Sequence, residues 1–200
     1  AGIILLIRSF AEHLAPVPKN GEYRSGRWVY GLAVGALLAA AVLALGAAWS
    51  GDKSVTLFYL MEDVPIFFQV DALGRWFVTL VTAVWVPVGI YSLVYMRHEG
   101  DEKRFFGFYL LLYGVLVCLD FAGNLVTMYL FYELMTLASF PLVLHNGSRE
   151  AIMAALKYLF YSLCGAYMAL FGIYFIWKNS STLAFTAGGV LHITTGGNIS

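Results

Sequence analysis

Two ionisable side chains, Glu133 and Lys157, stand inside stretches that are otherwise apolar, while the rest of the twelve Lys+Arg and twelve Asp+Glu fall in loops or at the ends of such stretches. A carboxylate and an ammonium can take up and release protons or hold each other as an ion pair. At the centre of a lipid bilayer an ionised group costs about 2.5 to 3.5 kcal/mol on the insertion scale, so such residues face protein or water and have partners or shifted proton affinities. Glu133 admits a functional reading, a proton-carrying carboxylate whose charge follows its cationic neighbours, and a structural one, a packing carboxylate held neutral by hydrogen bonds. Its depth favours the first, because an apolar residue is cheaper there. Lys157 reads as a partner in charge transfer or as a long stem snorkelling to the interface.

Around this pair the secondary proton-path candidates are Thr136, Ser139 and His145. Thr136 and Ser139 follow Glu133 by three and six positions and can bind a carboxylate or a water chain, yet both types also pack helices. His145 ends the same stretch, as a relay at its mouth or as an interfacial group facing the helix dipole. His13, His98 and His192 fall in loops. Asp120 and Asn124 flank a turn, where capping the next helix is the expected role. Pro87 and Pro141 free backbone carbonyls and should bend their helices. Cys118 and Cys164 lie in apolar runs without a CxxC, CxxCH or Cys/His cluster. They read as small buried hydrophobes, and no cofactor or metal site is expected in this chain.

The elements that must hold these groups follow from composition. Of 200 residues 60% are hydrophobic, 16% aromatic and only 12% charged, against about a quarter charged in soluble domains. The mean hydropathy is +0.77. A net charge of zero offers nothing to nucleic acid, and the solvent of this protein is lipid. Five stretches approach the roughly 20 apolar residues of a spanning helix: 28–49, 73–96, 105–121, 125–145 and 151–177. With 1–7 as a truncated N-terminal helix they predict an all-α membrane protein forming a single membrane domain over 1–200. Runs of β-branched and aromatic residues at 55–60 and 64–70, either side of Met61-Glu62-Asp63, predict a β-hairpin at the membrane surface.

Charge then orients the chain. Arg8, Lys19, Arg24, Arg27, Arg97, Lys103, Arg104 and Arg149 fall on one side if the helices alternate, and Lys53, Arg75 and Lys178 on the other. The positive-inside rule places the first set in the cytoplasm or its equivalent and the hairpin outside. At 1.5 Å per residue, Glu133 lies roughly 13 Å in from the outer end of its helix and Lys157 roughly 10 Å in from the inner end of the next.

The run NLVTMYLFYELMTLASF at 124–140, Glu150-Ala151 and the run AALKY at 154–158 resemble the fifth and sixth helices of the proton-translocating antiporter-like subunits. That family is shared by respiratory complex I, Mrp-type cation/proton antiporters and membrane-bound hydrogenases. VDAL at 70–73, opening a helix after a hairpin, is similar to the same family, and the resemblance covers roughly 55–178. It implies that Glu133 is the fifth-helix glutamate, which in the family pairs with a lysine on a broken seventh helix. It also implies that Lys157 is the sixth-helix lysine. Family members have about fourteen helices in two inverted repeats, so the chain reads as an N-terminal portion of a longer subunit.

The resulting expectation is a non-redox subunit moving H+, with Na+ as an exchanged ion, in a respiratory or antiporter complex such as an NADH-quinone oxidoreductase, a hydrogenase or an Mrp antiporter. Expected partners are other membrane subunits and the bilayer of a bacterial, archaeal or organellar inner membrane. The alternative is a structural scaffold subunit in which Glu133 and Lys157 only lock adjacent helices. A small-solute carrier finds no discontinuous helix or substrate constellation to support it.

Overall fold

The structure, a computed structural model, describes residues 27–61, 64–99, 102–144, 148–180 and 182–185. The expected stub at 1–7 and His145 lie outside the described residues. The elements are α1 (Arg27–Trp49), β1 (Ser54–Met61), β2 (Val64–Gln69), α2 (Ala72–Glu99), α3 (Glu102–Asp120), α4 (Leu125–Val143) and α5 (Arg149–Asn179). All five expected helical stretches and the hairpin are present.

Four helices, α1, α2, α4 and α5, are long and apolar enough to cross a membrane. The expected fifth, α3, differs. Every eighteen-residue stretch of it holds three charged residues, either Glu102, Lys103 and Arg104 or Lys103, Arg104 and Asp120. Its apolar interior at 105–119 is about 22 Å long, short of the roughly 30 Å of a bilayer core. The neighbouring helices cover it instead: Phe106, Tyr109, Leu110, Leu112 and Tyr113 are buried.

The core lies where α1, α2 and α3 meet. On α1 a stripe of Val29, Ala33, Leu37, Ala41, Ala44 and Ala48 is buried, at spacings of three or four that keep it on one face. Small side chains there let α2 and α3 approach closely. Leu37, Met96, Phe106 and Tyr109 fill one half of the core, and Ala44, Val78, Tyr113 and Phe121 the other. Next, α3 packs on α4, and α4 on α5. Only Ala155 and Ala166 are buried on α5. Cys118 is half-buried and Cys164 exposed, which corrects the expectation of two buried thiols: Cys164 lies on a part of α5 that no other described element covers.

Tryptophans mark two levels. Trp28 and Trp49 stand about 31 Å apart along α1, and Trp49 meets Trp76 edge to face with ring centroids 6.3 Å apart. Amphipathic rings at such levels suit membrane interfaces. The hairpin pairs antiparallel, with Ser54 opposite Gln69 and Thr56 opposite Phe67. It sits at the Trp49 end, where the Arg75 guanidinium pairs with Asp52.

Candidate functional site

The helix that carries Glu133 is fixed firmly at the end nearer the hairpin. Asn124 has an extended backbone, and its Oδ1 accepts from the Thr127 N–H at 2.7 Å, capping α4. Its Nδ2 donates to the Pro65 carbonyl at 2.6 Å, and the Phe67 N–H donates to the Thr127 hydroxyl at 3.2 Å. Gly123 donates to the Phe67 carbonyl at 3.0 Å. Only glycine fits there, because a Cβ would lie 2.2 Å from the Phe67 ring. The segment 182–185 joins the same plate, with Leu125 N–H on the Leu183 carbonyl and Phe185 N–H on the Gly123 carbonyl, both at 3.1 Å. The hairpin, the turn before α4 and the segment after α5 therefore share one end of the molecule.

The register of α4 against α5 follows from two hydroxyl pairs. Thr136 Oγ1 lies 3.2 Å from Ser162 Oγ, and Ser139 Oγ lies 2.7 Å from Tyr158 Oη. Three residues onward along α4 correspond to four residues back along α5, as two antiparallel helices in contact require. Extended one step outward, the same register puts Glu133 level with Gly165 and Ala166. Ala155, Ser162 and Ala166, seven and four apart, form the narrow face through which α5 touches α4. Ser148 caps α5, its Oγ accepting from the Ala151 N–H at 3.1 Å.

Glu133 is half-buried, and among the described residues its Oε1, shielded from solvent, has no hydrogen-bond partner. Tyr129, one turn earlier on the same face, is its side-chain hydrogen-bond neighbour. Lys157 is exposed on α5. It adjoins Tyr158 and so lies level with Ser139 and Phe140, roughly 10 Å along the axis from Glu133. Among the described residues no ion pair joins Glu133 to Lys157, because that offset is too long for a direct contact. Thr136 is buried, Ser139 half-buried. The arrangement is a half-buried carboxylate, a file of hydroxyls leading from it away from the hairpin end, and, level with the far end of that file but on an exposed face of α5, an ammonium. Among the described residues no group of His, Cys, Asp or Glu could hold a metal ion.

Several polar groups escaped sequence reasoning. Tyr158 and Ser162 look like ordinary helix residues until the register pairs them with Ser139 and Thr136. On α3, Glu102, Tyr109 and Tyr113 are spaced seven and four, which aligns them on one face. Tyr30 Oη donates to Glu102 Oε1 at 2.5 Å, Tyr109 Oη donates to the Trp85 carbonyl at 2.7 Å, and Tyr113 and Thr82 share a bond of 2.7 Å. The spacing was visible in the sequence; the partners on α1 and α2 were not.

Two family models match the chain: NADH:quinone oxidoreductase/Mrp antiporter, TM, over residues 122–197, and NADH-Ubiquinone oxidoreductase (complex I), chain 5 N-terminus, over 61–106. The first includes Glu133 and Lys157, and the second the last residue of β1, β2, all of α2 and the start of α3. Subunit L of the NADH-quinone oxidoreductase of Buchnera aphidicola subsp. Baizongia pistaciae is 29% identical over 142 residues, 70% of this chain and 22% of that protein. Hydrogenase-4 component B of Escherichia coli K12 is 25% identical over 137 residues, 68% of this chain and 20% of that protein. The chain thus spans about a fifth of the length of these curated relatives. In fold it is similar to a chain of the membrane-bound sulfane sulfur reductase, an archaeal respiratory membrane complex. The TM-score is 0.65 at 16% identity, over 92% of this chain and 36% of that one.

Proposed function

From the premise that the chain belongs to the antiporter-like membrane subunits of NADH-quinone oxidoreductase, hydrogenase and Mrp antiporter complexes, we propose that it moves protons through Glu133. In this reading α3 crosses the membrane as the fifth span, its short apolar length compensated by the helices around it. Other membrane subunits of a multisubunit complex cover the apolar face of α5. The translocated ion is H+, with Na+ as an exchanged ion, and the chemistry in this chain is protonation and charge pairing without a cofactor. Glu133 takes the proton, Lys157 tunes its charge at a distance, and Thr136, Ser139 and His145 serve the path.

The observation that carries the reading is the shielded Oε1 of Glu133, without a hydrogen-bond partner among the described residues, in a helix apolar enough to cross a membrane. A carboxylate kept only for packing would have both oxygens satisfied. The test uses the complete complex. Glu133→Gln keeps size and hydrogen-bonding capacity but removes titration, so assembly on a native gel should survive while proton translocation into vesicles falls severely. Glu133→Asp should retain part of the activity, and Lys157→Ala should cost less than Glu133→Gln. Normal pumping by the Gln variant sinks the proposal. Loss of assembly in Lys157→Ala with pumping intact in Glu133→Gln would support the scaffold alternative.

A further inference from the structure

Between Glu133 and the level of Lys157 the interface of α4 and α5 carries two successive hydroxyl pairs where alanine would pack as well. Resting on the reading of Glu133 above, we propose that Tyr158 and Ser162, together with Ser139 and Thr136, form a proton relay joining Glu133 to the inner part of the membrane.

The bonds define how it is set at rest. A hydroxyl has one proton to donate and two lone pairs that accept. Ser139 Oγ donates to the Thr136 carbonyl at 3.0 Å, so in its pair at 2.7 Å the Tyr158 hydroxyl is the donor. Thr136 Oγ1 has a weak contact of 3.4 Å with the Tyr132 carbonyl and a closer one of 3.2 Å with Ser162. Its proton can swing between the two. Successive rungs are three residues apart on α4, about 4.5 Å along the axis, a gap of the size one water molecule would bridge. Glu133 lies one more such step outward.

Each transfer conserves atoms and charge. An oxygen accepts a proton on a lone pair and releases its own to the next oxygen; O–H bonds form and break in equal number, and no electron is gained or lost. A proton entering at Tyr158 passes to Ser139, through water to the Thr136 and Ser162 pair, and through water to the carboxylate of Glu133, which becomes neutral. Afterwards the hydroxyls rotate back to their resting bonds. At the level of Glu133, Ala166 is buried and Gly165 exposed, a Cβ built on Gly165 meeting nothing within 4 Å.

The test is proton translocation by the complete complex in vesicles, read with an internal pH-sensitive dye, alongside assembly on a native gel. Tyr158→Phe and Thr136→Val should assemble normally and lose about tenfold or more of the rate. Thr136→Ser, which keeps the hydroxyl and removes a methyl group, should restore most of it. Glu133→Gln is run in parallel. Full rates in Tyr158→Phe and Thr136→Val beside a failed Glu133→Gln overturn the relay and leave Glu133 standing. Equal losses in Thr136→Val and Thr136→Ser also overturn it, because they assign the effect to packing. A normal rate in Glu133→Gln removes the reading of Glu133 and the relay with it.

Discussion

One asparagine does two jobs at the joint that holds the site. Asn124, 2% exposed, caps α4 with its carbonyl oxygen and ties the hairpin with its amide nitrogen. Asn124→Ala should therefore cost about 1 kcal/mol for the lost cap and about 1 to 3 kcal/mol for the stranded Pro65 carbonyl. Asn124→Asp keeps the cap and should fall between. Thermal unfolding of the purified protein in detergent, followed by circular dichroism, should rank the two variants in that order. Equal losses in both would mean that the cap is worthless here. The cap was legible in the sequence, because Asn before an apolar helical run is a local signal. The bond to Pro65 was not, since it joins residues 59 apart. Likewise Glu133 announced itself by the cost of its charge in lipid, while Ser162 and Tyr158, cheap in any helix, gave no sign before the register was known.

Among the elements, α3 shows how far apolar length can be trusted. Its position and helical state were readable from the run at 105–121, yet its charged first turn and short interior separate it from the other four helices. What holds it is lateral: the face of Glu102, Tyr109 and Tyr113 turns toward α1 and α2. Gly89 lets Tyr109 come close, a Cβ there lying 2.5 Å from Leu37 and 3.0 Å from the Tyr109 ring. Gly89→Ala should cost about 1 to 3 kcal/mol by overpacking, seen as a lower unfolding temperature. The bond between Thr82 and Tyr113 should contribute far less. A double-mutant cycle of Thr82→Val and Tyr113→Phe should give a coupling near 0.6 kcal/mol and no more than about 1.7, the range of hydrogen bonds between membrane helices. A larger coupling would make this pair a principal lock of the bundle. Neither contact could be read from one helix alone, because each depends on which residue of a neighbour stands at the same height.

At the scale of the whole molecule, orientation is set by charge and checked by geometry. If the helices alternate, eight basic residues fall on one side and three on the other, each of the former favouring the cytoplasmic side during insertion. The geometry adds that the hairpin and the segment 182–185 are joined to the same turn, so both must lie on the side away from the connection between α2 and α3. This is a stronger constraint than the count of charges, because a hydrogen-bonded plate cannot be divided across a bilayer. Single cysteines at Ser54→Cys and Asn20→Cys, in a background with Cys118→Ala and Cys164→Ala, test it with a membrane-impermeant maleimide. Ser54→Cys should label from outside intact cells, and Asn20→Cys only after the membrane is opened. Labelling of both from the same side would mean that α1, the helix between the two positions, does not cross, and would overturn the topology despite the length and apolarity of that helix. Reversed labelling would instead keep the fold and overturn the charge argument. The outcome also decides the direction in which Glu133 works: with the hairpin outside, its helix enters from the outer face and the hydroxyl file leads inward to the basic side.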